Sequence, residues 1–181
     1  MNLITNDYSI RGIKEDDLKM LLSWRNSERI RSVMLTDHEI TWEEHYSWFK
    51  RNEHNNPPRN LIFEYKGTPI GYIGYTEYDD IGRTCSPGVY LGQLSNIPAD
   101  AGIQIIKKSI EYAFKELHML CLVTDVFANN KPSLVISQLM GYKIKPKSDY
   151  FIIKSDKKEL VKKLIFTHDM WIEKQKKISR R

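Results

Sequence analysis

Ile103, Ile106, Ile110, Ala113, Phe114 and Leu117 recur at the spacing of one helix face over four turns. This run opens after Gly102 and lies between two strand-like segments, residues 88–94 and 120–127. A strand, a long amphipathic helix and a second strand form a crossover unit, in which the strands run parallel and the turn is right-handed. That unit commits the chain to a sheet with helices packed on it.

The flanking segments decide what kind of sheet. Residues 61–65 and 70–78 read as an antiparallel pair turned at Lys66-Gly67-Thr68-Pro69. Residues 8–13 alternate like a strand. Residues 16–24 place Leu18, Leu21 and Leu22 on one helix face. Thr41 followed by Glu44 is a capping box opening a helix that carries His45, Trp48 and Phe49. Residues 52–60, with Pro57 and Pro58, form a loop. Asn130-Lys131-Pro132 opens a helix that runs through Leu139 and ends at Gly141. Residues 150–153 make a short strand. A last basic helix is expected over 156–174, with Leu160, Leu164, His168, Trp171 and Ile172 on one side. The order β-α-α-β-β-β-α-β-α-β is mixed α/β, antiparallel in its first half.

At 181 residues the chain is expected to form one domain over 1–181. Hydrophobic residues are 41% and charged residues 28%, which excludes a disordered chain. No apolar run nears the roughly 20 residues that span a bilayer. Residues 1–7 lack the basic and apolar regions of a signal peptide. Cys85 and Cys121 are the only cysteines, so neither a disulfide framework nor a zinc cluster is expected, and no metal site is assigned. Neither has a local His partner, and both read as structural. The expected compartment is the reducing cytoplasm. The net charge of +5 is concentrated at the end: from Lys154 onward ten Lys/Arg stand against four Asp/Glu. Such a tail reads first as a solvated helix face and second as a nucleic-acid contact.

The loop 95–102 delivers the chain to the N-terminus of the long helix, where free N–H groups and the helix dipole favour an anion. The small residues Ala99, Ala101 and Gly102 admit a ligand close to the backbone. The other reading of this loop is a plain strand-to-helix turn with Asp100 as its cap.

Three places together resemble the GNAT acyltransferase superfamily. They are Val89-Tyr90-Leu91-Gly92-Gln93, then Pro98-Ala99-Asp100-Ala101-Gly102, then Asn130-Lys131-Pro132-Ser133 through Leu139-Met140-Gly141-Tyr142. The resemblance runs from Tyr8 to about Ile153. It implies a mixed, mainly antiparallel sheet with helices on both faces, and a V-shaped opening between the fourth and fifth strands for acetyl-CoA. It implies that Leu91, Gly92 and Gln93 hold the pantetheine arm. Ala99, Asp100, Ala101, Gly102 and Ile103 would hold the pyrophosphate, and Asn130 and Ser133 would complete the cofactor contacts. Ile97 stands where the family has Arg or Gln, and Asp100 stands at its first Gly. Ser137 stands where many members carry the tyrosine that protonates the CoA thiolate.

Leu22-Ser23-Trp24-Arg25-Asn26, Ile30-Arg31-Ser32-Val33-Met34 and Thr41-Trp42-Glu43-Glu44-His45 resemble one branch of that superfamily. This branch comprises the bacterial N-acetyltransferases of nucleotide-linked amino sugars, as in pseudaminic-acid synthesis. The ribosomal-protein N-terminal acetyltransferases, which share Trp-Arg-Asn, are its neighbours. The resemblance implies acetylation of a free amino group on a UDP-linked sugar, by direct transfer in a ternary complex.

Amine acetylation needs a proton acceptor for the amine, a polarised carbonyl and a proton for the leaving thiolate. Glu77 is the candidate base, or else a surface strand carboxylate. Tyr90 or Tyr142 is the candidate acid. Arg25 and Arg31 suit a diphosphate, with a salt bridge as the rival reading of Arg25. Met34, Trp42 and Trp48 suit a stacking floor or simply the core. His45 reads either as a nucleotide contact or as a packed structural histidine. Thr76 faces the cleft beside Tyr90. Two other functions remain open: a protein N-terminal or small-amine acetyltransferase, and a non-catalytic acyl-CoA- or nucleic-acid-binding module. Unpaired sheet edges leave a homodimer possible.

Overall fold

The computed structural model describes residues 7–36 and 38–179. Met1–Asn6, from the segment read against a signal peptide, and Arg180 and Arg181 of the basic tail lie outside the described residues. The chain runs β1 (Tyr8–Gly12), a 3₁₀ turn (Glu15–Asp17), α1 (Leu18–Asn26), α2 (Glu28–Arg31), α3 (Trp42–Asn52), β2 (Asn60–Tyr65), β3 (Thr68–Asp79) and β4 (Thr84–Leu91). It continues with α4 (Ala101–Lys115), β5 (Cys121–Phe127), α5 (Lys131–Met140), β6 (Lys143–Ile144), β7 (Tyr150–Lys154), β8 (Lys157–Thr167) and α6 (His168–Ser179).

The sheet order is β1-β2-β3-β4-β5-β8-β6, with β7 also on β8. Every pairing is antiparallel except β4 with β5. The β2–β3 hairpin closes at Lys66 and Gly67, both with positive φ, as a two-residue primed turn requires. The α3 box forms as the sequence predicts: Thr41 Oγ1 accepts from Glu44 N–H, and Glu44 Oε2 accepts from Thr41 N–H at 2.8 Å.

Two layers of helix cover the sheet. Ile105, Ile110, Ala113 and Phe114 of α4 pack with Phe63, Ile73, Tyr75, Leu122, Leu164 and Phe166 on one face. Side chains alternate along a strand, so Tyr72 lies on the face opposite Ile73. There Tyr72 meets Trp48 of α3, and Leu18, Leu21, Ile30 and Phe49 are buried with it.

Two expectations about elements need correction. The expected helix over 156–174 is a strand and then a helix: β8 takes Lys157–Thr167 and only α6 is helical. Ser155 and Asp156 both have positive φ and fold β7 back onto β8. Leu160 and Leu164 match a helical spacing, but β8 lies between β5 and the outer strands, so Val161 is buried on one face and Leu164 and Phe166 on the other. The strand expected over 88–94 sits earlier, at Thr84–Leu91, because it pairs along β3 from Gly71 to Asp79.

The parallel pairing matters most for the site. β4 and β5 pair only at Thr84 with Cys121 and Cys85 with Leu122. Beyond that point β4 stays with β3 as far as Leu91, and β5 stays with β8 as far as Phe127. The sheet therefore splits into a V.

Candidate active site

The V opens into a cleft of about 620 Å³. β4 contributes Ser86 to Tyr90, and β5 contributes Thr124 to Phe127. Asn130, Ser133, Ser137 and Tyr142 enter from α5 and its end, and Ile106 and Ser109 from α4. On the opposite face stand Arg25, Met34, His45, Trp48, Tyr72, Thr76 and Glu77. Arg31, Leu91, Gly92, Gln93 and the loop residues Ala99, Asp100, Ala101, Gly102 and Ile103 do not border this cleft.

The inner edge of β4 has no partner strand past Cys85. Side chains reach its carbonyls instead: Thr124 Oγ1 donates to Pro87 O at 3.3 Å, and Arg29 Nη2 donates to Leu91 O at 2.7 Å and Gly92 O at 3.0 Å. An unpaired strand edge is suited to amide groups of an extended ligand. Gly92 is needed for packing: a Cβ there would lie 1.9 Å from the Trp24 ring. Asp100 does not cap α4 with its side chain. Tyr8 donates to its Oδ1 at 2.7 Å and Gln104 to its Oδ2 at 2.9 Å, and the Tyr8 bond holds its carboxyl below the usual range. The carboxylate is thus tied to β1 and to its own helix. Asn130 caps α5, accepting from Ser133 N–H at 3.3 Å. Gly141 ends α5 in the left-handed region, as the sequence predicts.

An aromatic ladder floors the acceptor side. His45 stacks on Trp48, Trp48 meets Tyr72 edge-on, and Tyr72 stacks on Tyr90 with ring centroids 5.1 Å apart. Trp42 is exposed and only touches the end of this series. His45 is both structural and cleft-facing. Its Nε2 donates to Leu18 O at 3.0 Å, which fixes the tautomer and leaves Nδ1 as the acceptor nitrogen. Burial holds its pKa below the ordinary histidine value.

Among the described residues Arg25 makes no salt bridge. Its Nη2 donates to Thr36 O and Oγ1, while its Nη1 is buried without a hydrogen-bond partner. Burial lowers its pKa, as does the nearby charge of Arg31, yet a guanidinium remains cationic at neutral pH. A desolvated cation is costly unless an anion meets it, and no carboxylate of the described residues pairs with this one.

Glu77 sits in a β-bulge. The β3–β4 register shifts between Thr76 and Asp79, and Glu77 has φ of 46°. A non-glycine residue held there stores roughly 1–3 kcal/mol of strain. The bulge takes Glu77 out of the ladder, and its side chain borders the cleft. Burial drives the Tyr90 and Tyr142 phenols well above the usual tyrosine range, so both stay protonated at neutral pH. Burial also raises the thiols, Cys85 to about 12, which makes them poor nucleophiles.

Sequence reasoning missed Asp125. Its signal was present: it is the single charged residue of the mostly apolar β5 segment Cys121–Phe127.

A sequence profile of the acetyltransferase (GNAT) domain family matches residues 8–143. The chain belongs to the GNAT acetyltransferases. Family members use acetyl-CoA, and the split sheet is where this chain offers an unpaired strand edge. Acetyltransferase PseH of Campylobacter jejuni is 30% identical over 129 residues, covering 70% of this chain and 76% of that protein. An uncharacterised protein of Methanocaldococcus jannaschii is 25% identical over 141 residues, 74% of this chain, but the chain spans only 28% of its length. Among solved structures, spermidine N-acetyltransferase from Vibrio cholerae in complex with CoA and spermine superposes with a TM-score of 0.84 at 15% identity. That match covers 93% of this chain and 99% of that one. The likeness establishes the fold. No helix among the described residues is long and apolar enough to cross a membrane.

Proposed function

We propose that this GNAT acetyltransferase acts on the free amino group of a nucleotide-linked amino sugar, with a UDP-linked sugar as the first choice. The observation that carries the reading is Arg25. Its Nη1 is buried with no hydrogen-bond partner among the described residues, and it lines the same cleft as Tyr72 and Tyr90, where it can meet a diphosphate while the aromatic ladder meets the uracil or sugar. The similarity to PseH points the same way. A polyamine would bring positive charge to a buried guanidinium and be repelled.

In this reading Asn130, Ser133 and the β4 edge hold acetyl-CoA, and the loop from Ala99 to Ile103 lies further along its path. Acetyl-CoA supplies the thioester carbonyl: a C–N bond forms to the amine as the C–S bond breaks. Glu77 takes the proton released by the amine. Tyr90 and Tyr142 are the neutral phenols able to return one to the departing thiolate, in place of the tyrosine that Ser137 replaces. Met34, His45, Trp48 and Thr76 shape the acceptor side.

Nucleic acid is a weaker partner. Of the tail's eight lysines several are engaged within the fold, among them Lys162 with Asp149, Lys163 with Asp125, Lys174 with Leu139 O and Lys177 with Glu173. Pairing of two copies along the outer edge, where Phe151 and Ile153 of β7 are exposed, remains a proposal for light scattering.

The test is CoA release with three acceptors: a UDP-linked 4-amino-4,6-dideoxy sugar, spermidine and a peptide N-terminus. The expected result is a kcat/KM at least tenfold higher for the sugar nucleotide. Arg25→Ala should then raise its KM about tenfold or more, leaving CoA affinity unchanged. Equal or better use of spermidine by the wild type overturns the reading.

A further inference from the structure

The acceptor side of the cleft contains a second carboxylate. On β5, Leu122 and Val126 are buried in the core beneath α4, so Asp125 faces the opposite side, toward the acceptor half. Its side chain is 13% exposed. Its two oxygens are used unequally. Tyr150 of β7 donates its hydroxyl to Oδ2 at 2.8 Å. Oδ1 is buried and accepts no hydrogen bond. Lys163, opposite Asp125 on β8, approaches Oδ1 only to 3.4 Å as an ion pair.

An ionised carboxylate oxygen shielded from water needs a donor, and leaving it without one is costly. No side chain or backbone N–H of the described residues supplies that donor. Glu77 of β3 lines the same cleft, and burial, then the bond to Asp125, raise the Tyr150 phenol to about 12, with the charge of Glu77 adding least. The bulge on β3 and the strand β5 therefore place two carboxylates at the split in the sheet.

We propose that Asp125 Oδ1 accepts a hydrogen bond from the acceptor's amino group, and that Tyr150 is the positioning residue that fixes its carboxylate. This rests on the acetyl-transfer reading of the cleft, and it deepens the substrate assignment by locating the amine. An arriving ammonium has three donors. One binds Asp125 Oδ1, and the proton that must leave goes to Glu77. The nitrogen then carries a lone pair, an N–H held by Asp125, and a fixed direction of attack. Lys163, Tyr150 and Glu77 are the charged and titratable groups facing Asp125 from β8, β7 and β3. Arg25, His38, Glu44 and His45 line the cleft from α1, α3 and the loop between them.

The test separates amine recognition from general cleft damage. The amine-bearing probe is the UDP-linked 4-amino-4,6-dideoxy sugar, and UDP-GlcNAc, which has no free amine, serves as a competitive inhibitor. In Asp125→Asn the amide oxygen can still accept from Tyr150, which turns the Nδ2 donors toward the amine. The expected result is a KM for the amino sugar raised about tenfold or more, with the inhibition constant of UDP-GlcNAc and the Kd of CoA within twofold of wild type. Tyr150→Phe should show the same amine-only effect at smaller size, and it tests the proposal if Asp125→Asn fails to fold. An unchanged KM, or equal loss of amino sugar and UDP-GlcNAc, overturns the proposal. If the wild type acetylates spermidine and no sugar nucleotide, the nucleotide assignment fails by itself. The same two variants are then compared on spermidine KM against CoA Kd, with the same criteria.

Discussion

Glu77 carries the clearest single-residue prediction. It is exposed, yet its backbone is held at φ of 46° in a bulge that opens onto the cleft. Nothing in its role requires it for packing, so Glu77→Gln should fold normally. As a proton acceptor it should matter by about 10²–10⁴-fold in kcat. The check is kcat at saturating acceptor across pH, with CoA affinity unchanged. Full activity at every pH would remove Glu77 from the mechanism. Of the residues the sequence suggested, Arg25, His45, Trp48, Thr76, Glu77, Tyr90, Asn130 and Ser133 border the cleft. Arg31, the last residue of α2, does not. Asp125 went unread because a lone acidic residue in an apolar strand has meaning only once its neighbours are known.

The elements follow local chemistry where that chemistry is strong. The Thr41 box, the Asn130 cap, the Lys66-Gly67 turn and the Gly141 end each form where their residues indicate. Gly141 is the sharpest test. Its φ is 119°, and a Cβ there would lie 2.6 Å from the Phe166 ring. Gly141→Ala should cost roughly 2 kcal/mol or more, combining backbone strain with overpacking. For a chain of this size that lowers Tm by about 4–8 °C, measured by thermal denaturation. An unchanged Tm would show that the α5 end can repack. β8 marks the limit of local reading. Lys157–Thr167 carries helical spacing at Leu160 and Leu164, but the open edge of β5 and the left-handed pair Ser155-Asp156 make it a strand. Hydrogen bonding to a strand far along the chain overrides the local pattern.

At the scale of the molecule, one charged cluster ties the first helix to the sheet edge. Arg11 Nη1 and Nη2 grip Asp17 at 2.7 and 2.9 Å, and Arg11 Nε donates to Glu64 Oε1 at 2.7 Å. Burial alone would raise the Asp17 carboxyl, but the bonds from Arg11 and Lys14 N–H outweigh it and hold its pKa below the usual range. Folded Asp17 therefore binds fewer protons than unfolded Asp17 near pH 4. Its contribution is present above about pH 4 and is lost as pH falls through the lower folded value. His45, lowered by burial, acts in the same direction from about pH 6.5 downward. Tm should fall in both windows, and Asp17→Asn should lower Tm at pH 6 and flatten the slope below pH 4. A wild-type slope in the mutant would exclude the cluster.

By itself the sequence determined the crossover unit around α4, the caps and turns, and the family. These depend on residues within a few turns of one another, and hydrophobic spacing and cap chemistry encode them directly. The family resemblance implied a split between the fourth and fifth strands, but only the tertiary structure decided that β4 and β5 part after Cys85 and Leu122, that Arg25, Glu77 and Asp125 line one cleft there, and that Tyr150 holds Asp125. Those outcomes depend on strand registers between distant segments. Such registers are set by how the whole sheet packs, and no local window of residues contains them.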